Sequence, residues 1–237
     1  MKKIAIVTGC AKGIGKEIAL DLAHNGYDII GTYNTSFNEI ESLKKRIDNI
    51  GVKFYRYKLD LLNEDNINEF CNIIKSKFNN IDLLVNNAGL SLDNELDLKT
   101  SKEFIDVLKV NLIGPFLLIQ KLYKNMNDGV IINISSTDGI NTYTKLNIDY
   151  SASKAALINL TKSLALVLDN IKVYSICPNW VNTESIRNMN QDYLKGEMKR
   201  IGQKKLIDSS EVANEVIKLI NSNKESGTIV VMEDKYE

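Results

Sequence analysis

Short runs of apolar residues alternate along the chain with longer amphipathic stretches. Seven runs have the length and the valine and isoleucine content of β-strands, and they cover residues 4–8, 27–33, 53–58, 81–86, 129–135, 171–176 and 228–232. Several are uninterrupted apolar blocks, as expected for strands that are buried on both faces of a parallel sheet. Between the runs, apolar residues recur every three or four positions, as Ile67, Phe70, Ile74 and Phe78 do, which predicts amphipathic helices.

This alternation of strands and helices predicts an α/β fold. The helices would cover both faces of one doubly wound, seven-stranded and mainly parallel sheet. Neither a linker rich in proline or serine nor an internal repeat interrupts the pattern, so we expect a single domain over residues 1–237.

Composition and charge narrow the range of partners. The 237 residues include 30 Lys and Arg and 30 Asp and Glu, so the net charge is zero and favours neither nucleic acid nor an anionic membrane as a partner. The N-terminal apolar run is too short for an export signal, and no apolar stretch reaches about 18 residues, so we expect a cytoplasmic protein without a membrane span. The single histidine, His24, and the three cysteines lack the spacing of metal ligands, so no metal site is expected.

A glycine-rich turn follows the first predicted strand. It reads Thr8-Gly9-Cys10-Ala11-Lys12-Gly13-Ile14-Gly15 and leads into a helical pattern. Glycine at position 9 permits a tight turn, and the missing Cβ atoms at positions 13 and 15 let a pyrophosphate approach the free N–H groups of the helix N-terminus. The position of the turn favours a dinucleotide site over a merely structural turn, and Lys12 is placed to reach a phosphate.

The end of the second predicted strand bears on which dinucleotide binds. A free ribose 2′-hydroxyl is usually held there by Asp or Glu, whereas this chain has Tyr33, Asn34 and Thr35 and no carboxylate before Glu39. These groups, together with Lys12, suit a 2′-phosphate better. NADP(H) is therefore the favoured cofactor, and NAD(H) is the alternative.

Tyr150 and Lys154 form a candidate catalytic pair. Residues four apart share one face of a helix, so the phenol and the ammonium group are expected to lie together. A nearby cation would lower the pKa of the Tyr150 phenol and help it to exchange a proton near neutral pH. Ser136 ends the fifth predicted strand, at the edge of the sheet where ligands of such folds bind, although serines there are commonly strand-end caps.

Together these motifs resemble the short-chain dehydrogenase/reductase family almost from end to end. The resemblance implies a Rossmann fold with four catalytic positions, which are Asn111, Ser136, Tyr150 and Lys154. It also implies a nicotinamide dinucleotide, with Asp60 at the adenine and a segment from Pro178 to Thr183 over the nicotinamide. The residues expected at this cofactor are Gly9, Lys12, Gly13, Ile14, Gly15, Tyr33, Asn34, Thr35, Asp60, Leu61, Asn87, Ala88, Gly89, Tyr150, Lys154, Pro178, Val181 and Thr183.

The family likeness implies a role for each catalytic residue. Tyr150 would protonate a carbonyl oxygen in reduction or deprotonate an alcohol in oxidation, and Ser136 would hydrogen-bond that oxygen. Lys154 would bind the nicotinamide ribose and lower the pKa of Tyr150, and Asn111 would hold a water that links Lys154 to solvent. The predicted function is that of an NADP(H)-dependent oxidoreductase that interconverts a ketone and a secondary alcohol. A non-catalytic protein that senses NADP(H) on the same fold is the alternative.

The pattern is closest to bacterial 3-oxoacyl-(acyl-carrier-protein) reductases, including a lid-like insertion at about residues 184–207. Relatives that bind the acidic carrier protein tend to have arginines just before strands five and six, and here residues 125–129 and 168–171 are neutral to acidic. The residues that could supply a basic surface instead are Lys195, Lys199, Arg200, Lys204 and Lys205. The substrate is left as a small carbonyl or alcohol compound, with 3-oxoacyl thioesters as one candidate and with pocket walls expected from residues 90–97, 137–147 and 180–206.

The sequence departs from the family pattern at three places that bear on the active site or on subunit contacts. The interval from Ser136 to Tyr150 is 14 positions, one longer than usual, and Thr137 would restore it, so Thr137 is a minor rival for the serine role. Asn179 replaces a glycine, and since asparagine tolerates positive φ, the turn is expected to survive. Residues 231–237 lack the Asp-Gly-Gly ending of many relatives, which puts the usual C-terminal contact between subunits in doubt.

The family likeness also predicts self-association. Helices over residues 101–125 and 150–168 correspond to those that commonly pair across a twofold axis, so we expect a homodimer or homotetramer. Their apolar residues, such as Val107 and Leu164, are equally what core packing would need.

Overall fold

The structure, a computed structural model, describes residues 2–233. Its strands are β1 (Ile4–Val7), β2 (Asp28–Tyr33), β3 (Phe54–Lys58), β4 (Leu83–Asn86), β5 (Val130–Ile134), β6 (Lys172–Pro178), β7 (Val181–Asn182), β8 (Ile207–Asp208) and β9 (Ile229–Met232). Its α-helices are α1 (Gly13–His24), α2 (Phe37–Ile50), α3 (Glu64–Lys77), α4 (Ser101–Leu108), α5 (Gly114–Leu122), α6 (Ile148–Ala165), α7 (Glu184–Arg187), α8 (Gln191–Ile201) and α9 (Ser209–Ile220). The expectation about the C-terminal ending falls largely on residues 234–237, which lie outside the described residues.

Within residues 2–233, seven strands form one sheet in the order β3-β2-β1-β4-β5-β6-β9. Every pairing in it is parallel, so the prediction of a doubly wound, seven-stranded α/β fold is confirmed. The strand order reverses between β1 and β4. In sheets of this kind, the crevice outside the carboxyl ends of the strands at such a reversal is where ligands bind.

The uninterrupted apolar runs arise because the central strands are covered on both faces. On one face Ala5 and Val7 of β1 belong to a core that includes residues of α1, α2 and α9. On the other face Ile6 packs in a second core with residues of α3 and α5, among them Phe70 and Leu118. Successive side chains of a strand point to opposite faces, so each apolar residue of β1 enters one of the two cores.

The helix predicted over residues 101–125 contains a wider turn. Residues Lys109–Ile113 form a π-helical turn that joins α4 to α5. Pro115 follows in the first turn of α5, and proline has no N–H with which to continue a regular ladder. π-turns occur frequently at functional sites, and this one contains the fully buried Asn111.

The predicted lid corresponds to α7 and α8, which lie between the short parallel strands β7 and β8. Leu194 is the buried residue of α8, and the exposed residues of that helix include Lys195 and Lys199. No helix in the described part of the chain has the length and apolar character needed to cross a membrane.

Candidate active site

The candidate site is a groove along the carboxyl ends of the strands. Two adjoining cavities form it, of about 470 Å³ and about 600 Å³, and Asn87, Gly89 and Leu90 line both. The predicted residues in the smaller cavity are Gly9, Lys12, Tyr33, Asn34, Thr35, Asp60, Leu61, Asn87, Ala88 and Gly89. Those in the larger cavity are Ile14, Asn87, Gly89, Ser136, Tyr150, Lys154, Pro178, Val181 and Thr183. Gly13 lines a third cavity beside Lys12, whereas Gly15 and Asn111 are buried beneath the groove.

The glycine-rich turn brings the chain close to the segment after β4. Gly9 has φ +63°, and a Cβ atom on Gly15 would lie 2.3 Å from Nδ2 of Asn87 and 2.7 Å from the carbonyl oxygen of Gly9. Only glycine therefore permits the packing at position 15. The first turn of α1 receives no side-chain cap from Lys12, so its N–H groups remain available to a phosphate.

Thr8 and Asn87 hold the two segments together. The hydroxyl of Thr8 accepts the backbone N–H groups of Asn87 at 2.9 Å and Ala88 at 3.0 Å. In return, the amide of Asn87 donates to the carbonyl oxygens of Thr8 at 2.8 Å and Gly9 at 3.2 Å. These bonds explain why an asparagine follows β4, and they make the floor of the groove rigid where both cavities meet.

Lys12 makes an ion pair that its sequence position did not reveal. Its Nζ atom lies 2.8 Å from Oε1 of Glu39 and 3.9 Å from Oε2 of Glu184. The hydrogen bond that Lys12 donates to Glu39 raises the pKa of Lys12 and lowers that of Glu39. A 2′-phosphate at the end of β2 would therefore share Lys12 with Glu39.

The shape and donor set of the groove fit a nicotinamide dinucleotide. The smaller cavity combines the uncapped end of α1 with the polar segment Tyr33, Asn34 and Thr35 and with Asp60. Asp60 uses its Oδ1 atom to accept the N–H of Leu62 at 3.0 Å, which shapes the loop after β3. The larger cavity continues from Gly89 to Tyr150. The two cavities together can therefore hold the two nucleotide halves of a dinucleotide.

Tyr150 and Lys154 are fixed against the end of β5. Nζ of Lys154 donates to the carbonyl oxygen of Ile134 at 2.8 Å, and the hydroxyl of Ser135 donates to the carbonyl oxygen of Lys154 at 2.9 Å. Behind Tyr150, Asp149 is fully buried and pairs with Lys99 at 3.0 Å, which attaches the start of α6 to the segment before α4. The Tyr150 side chain is thereby presented to the larger cavity from a firmly held helix.

The pKa of Tyr150 is shifted in the direction opposite to the one expected from the sequence. Burial raises the pKa of Tyr150 well above its usual value, the Asp138 carboxylate raises it further, and a hydrogen bond with Ser136 lowers it. Burial also lowers the pKa of Lys154 from 10.5 to about 8. The expected lowering of the Tyr150 pKa does not occur in this structure, because burial and the Asp138 carboxylate outweigh the hydrogen bond with Ser136.

Asn111 contacts the segment after β4 through its side chain. Its Oδ1 atom accepts the N–H of Leu90 at 2.7 Å, and its Nδ2 atom donates to the carbonyl oxygen of Leu90 at 2.9 Å and to the hydroxyl of Ser153 at 3.0 Å. The side-chain amide thus holds the segment after β4 at Leu90, and the expected role of Asn111 in holding a water near Lys154 stays a prediction. A Cβ atom on Gly89 would lie within 4 Å of both Asn111 Oδ1 and Lys154 Nζ, so the three residues meet at one point.

The structure distinguishes Ser136 from Thr137. Ser136 lines the larger cavity, and its Oγ atom accepts the N–H of Asp138 at 3.1 Å, which leaves its own proton available for donation. Thr137 is fully buried, and its hydroxyl is bonded to that of Thr142 at 3.0 Å. The geometry therefore favours Ser136 for the serine role.

The stretch between Ser136 and Tyr150 contains a loop over residues 140–147 that is held by α8. Tyr143 there has φ +28°, and Nη2 of Arg200 on α8 donates to the carbonyl oxygens of Thr142 at 2.8 Å and Tyr143 at 2.6 Å. The positive φ expected of Asn179 does not occur: among the described non-glycine residues, φ is positive at Asp128 and Tyr143. Asparagine at position 179 consequently adds no backbone strain.

Asp138 is the main site residue that motif analysis missed. It lines the larger cavity two positions after Ser136 and influences the pKa of Tyr150. The signal available in the sequence was a carboxylate placed immediately beyond a strand end. The predicted walls do contribute to this cavity, through residues that include Ser91, Asp93, Asn147, Trp180 and Met189.

The family model and the known proteins that this chain resembles are described as dehydrogenases or reductases. Residues 3–194 match a family model described as short chain dehydrogenase. A 3-oxoacyl-[acyl-carrier-protein] reductase of Buchnera aphidicola is 36% identical over 230 residues, which are 95% of this chain and 92% of that protein. A solved short chain dehydrogenase from Burkholderia cenocepacia, in complex with NADP, has a TM-score of 0.89 and 26% identity and covers 98% of this chain and 97% of its own. An acetoin dehydrogenase from Salmonella typhimurium has a TM-score of 0.86 and 28% identity over 100% of this chain and 96% of its own.

Proposed function

The chain belongs to the short-chain dehydrogenase family, and from this premise we propose that it is an NADP(H)-dependent oxidoreductase that interconverts a ketone and a secondary alcohol. The observation that carries the proposal is the placement of Tyr150, Ser136 and Lys154 in one cavity, continuous with a groove that fits a dinucleotide. The alternative of a sensor without chemistry has no observation in its favour, because this cavity retains a proton donor.

The proposed mechanism assigns one task to each side chain. A bound nicotinamide would supply the hydride that adds to the carbonyl carbon. Tyr150 gives its phenolic proton to the carbonyl oxygen as the C=O π pair moves onto that oxygen, and Ser136 donates a hydrogen bond to the same oxygen. Lys154, which is held at the end of β5 and lies near Gly89, would bind the ribose of the cofactor. In the direction of oxidation, the same groups act in reverse, and Tyr150 accepts the proton.

The surroundings of Tyr150 favour its protonated phenol, which is the form that ketone reduction uses, but they also make that phenol a weaker acid. Burial and Asp138 keep the phenol protonated, so it enters the reaction as an acid. Oxidation of an alcohol requires the phenolate, which this environment disfavours.

We favour NADP(H) over NAD(H) because of the side chains at the end of β2. Tyr33, Asn34 and Thr35 line the smaller cavity with Lys12, and the first carboxylate after β2 in the sequence, Glu39, is already paired with that lysine. The structural relative from Burkholderia cenocepacia was solved with NADP.

A 3-oxoacyl thioester, on acyl carrier protein or coenzyme A, is a second candidate substrate. It is favoured by the likeness to the Buchnera aphidicola reductase. Against docking of an acidic carrier, Arg200 is engaged with Glu197 and with the loop over residues 140–147, so it does not offer a free charge on α8.

We further propose a cytoplasmic homodimer or homotetramer, with residues 184–207 as a lid over the groove. Cys10, Cys71 and Cys177 are free and buried, which suits a reducing compartment. Exposed apolar side chains lie along α4, α5 and the end of α6, where the helix pairing was expected; they are Ile105, Ile113, Phe116, Leu166 and Val167. Covering them in a symmetric contact would remove apolar area from water.

The test is a turnover screen of ketones, hydroxyketones, sugars, sterols and 3-oxoacyl thioesters with NADPH and with NADH. We expect oxidation of NADPH with at least one ketone and a higher kcat/KM for NADPH than for NADH. Failure to oxidise either cofactor with any carbonyl compound would refute the proposed function.

A further inference from the structure

A carboxylate in the larger cavity has no cationic partner. Asp138 lines this cavity together with Ser136 and Tyr150. Its Oδ1 atom accepts the hydroxyl of Thr142 at 2.6 Å. Among residues 2–233, nothing hydrogen-bonds to its Oδ2 atom, and no lysine or arginine lies within ion-pair distance of the carboxylate.

The two nearby cations are engaged elsewhere. Arg200 pairs with Glu197 at 2.7 Å and donates to the backbone of Thr142 and Tyr143. Lys154 donates to the carbonyl oxygen of Ile134. Burial raises the pKa of Asp138, and the hydrogen bond from Thr142 and the more distant charges of Arg200 and Lys154 offset this only in part. A half-buried carboxylate without an ion-pair partner is costly to maintain. A ligand that enters the cavity can supply the partner that the chain does not.

Apart from Lys154, the charged side chains that line the larger cavity are carboxylates. The charged residues that line the cavity are Asp93, Asp138 and Lys154. Lys154 lies beside Gly89, on the side proposed for the ribose, which leaves the two carboxylates facing a substrate. A substrate with an anionic group would be repelled there, whereas a hydrogen-bond donor would be attracted.

We infer that the substrate is a small ketone with a hydrogen-bond donor, a hydroxyl or an ammonium group, one or two carbons from its carbonyl, and that Asp138 binds this donor. The inference rests on the proposed function, because it places the carbonyl at Tyr150 and Ser136. The backbone of Asp138 is bonded to Oγ of Ser136 at 3.1 Å, so its carboxylate begins close to the bound carbonyl. A 3-oxoacyl thioester offers only acceptors next to its ketone, so it is disfavoured.

A matched series of ketones tests this specificity. Butanone, hydroxyacetone, aminoacetone, acetoacetate and an acetoacetyl thioester share the skeleton CH3–CO–CH2–R and differ only in R, which is methyl, hydroxyl, ammonium, carboxylate or thioester. We expect the hydroxyl and ammonium compounds to have the highest kcat/KM with NADPH and acetoacetate the lowest. The two donor compounds distinguish a neutral from a cationic donor.

Asp138→Asn separates recognition from the intrinsic reactivity of each ketone. It keeps an acceptor for Thr142 and removes the charge. We expect the ratio of kcat/KM for aminoacetone to that for butanone to fall about tenfold or more, with a smaller fall for hydroxyacetone. Asp169→Asn is the matched comparison, because Asp169 is an exposed carboxylate between α6 and β6 that lines neither cavity of the groove. Its ratio should change much less.

Binding without turnover gives an independent readout. In the presence of NADPH, the alcohol 1-amino-2-propanol should bind wild type more tightly than 2-butanol does, by calorimetry, and Asp138→Asn should remove the difference. A wild-type preference for butanone, acetoacetate or the thioester, or an unchanged ratio in Asp138→Asn, would overturn the inference and leave the proposed function standing. No activity on any ketone would instead refute the proposed function, and the inference with it.

Discussion

The Nζ atom of Lys154 lies 5.4 Å from the centroid of the Tyr150 ring, one turn further along α6. The two side chains share a face of the helix, yet the ammonium group is bonded to the carbonyl oxygen of Ile134 and not to the phenol. The two side chains therefore lie within cation–π distance of each other without a hydrogen bond between them, and Lys154 would be placed to bind a ribose.

Replacing Tyr150 by phenylalanine removes the proposed proton donor and little else. The side chain keeps its ring, and α6 keeps its attachments to β5 through Lys154. We expect kcat for ketone reduction to fall at least 100-fold, since general acid catalysis is typically worth about 10²–10⁴-fold. NADPH binding, measured by fluorescence titration, should change less than twofold. A variant that retains a tenth of the activity would show that another group is the acid.

Lys154 should make stability depend on pH in the alkaline range. Its pKa is lowered by burial from 10.5 to about 8, so between these values the unfolded chain binds a proton that the native protein has lost. The free energy of unfolding should therefore rise with pH across this window, by at most about 3.5 kcal/mol at about 1.4 kcal/mol per pKa unit. Urea unfolding of wild type and Lys154→Met at pH 7.5 and pH 10 isolates the effect as the difference between the two proteins.

The expected result is a wild-type advantage that grows between the two pH values. Lys45→Met, at an exposed position of α2, controls for the loss of one lysine from the chain. If the difference between wild type and Lys154→Met is the same at both pH values, Lys154 does not carry a depressed pKa.

The ion pair between Lys12 and Glu39 should influence the choice between NADPH and NADH. Both side chains are partly exposed, and their atoms lie 2.8 Å apart. Lys12→Glu should raise KM for NADPH several-fold more than KM for NADH, because it places a negative charge where the 2′-phosphate is expected. Glu39→Gln should lower KM for NADPH, since Lys12 would no longer be shared. Equal effects on both cofactors would remove Lys12 from the 2′-phosphate site.

The fold was predictable because its sheet is buried on both faces. Ala5, Ile6 and Val7 are apolar without interruption only because two separate helical layers need them. Candidate site residues such as Ser136 could be located for a related reason, since parallel strands bring their carboxyl ends to one edge of the sheet.

Features that depend on contacts between distant segments could not be predicted. The direction of the pKa shift of Tyr150 is set by burial under several parts of the chain and by Asp138 across a loop. The pairing of Lys12 with Glu39 joins two helices, and the engagement of Asn111 with Leu90 requires the π-turn after α4. No short-range spacing in the sequence reports such distances.

Gly15 should be irreplaceable because of its neighbours. A Cβ atom there would meet Nδ2 of Asn87 at 2.3 Å and the backbone oxygen of Gly9 at 2.7 Å, and the backbone of the turn cannot yield without losing its shape. Gly15→Ala should therefore cost about 1–3 kcal/mol in the free energy of unfolding and weaken NADPH binding at least tenfold. Gly196→Ala is the matched control, since a Cβ atom at this exposed position of α8 meets nothing within 4 Å. It should stabilise the protein by up to about 1 kcal/mol through helix propensity, and urea unfolding with NADPH titration measures both variants. If Gly15→Ala bound NADPH as wild type does, the turn before α1 would not be the phosphate site.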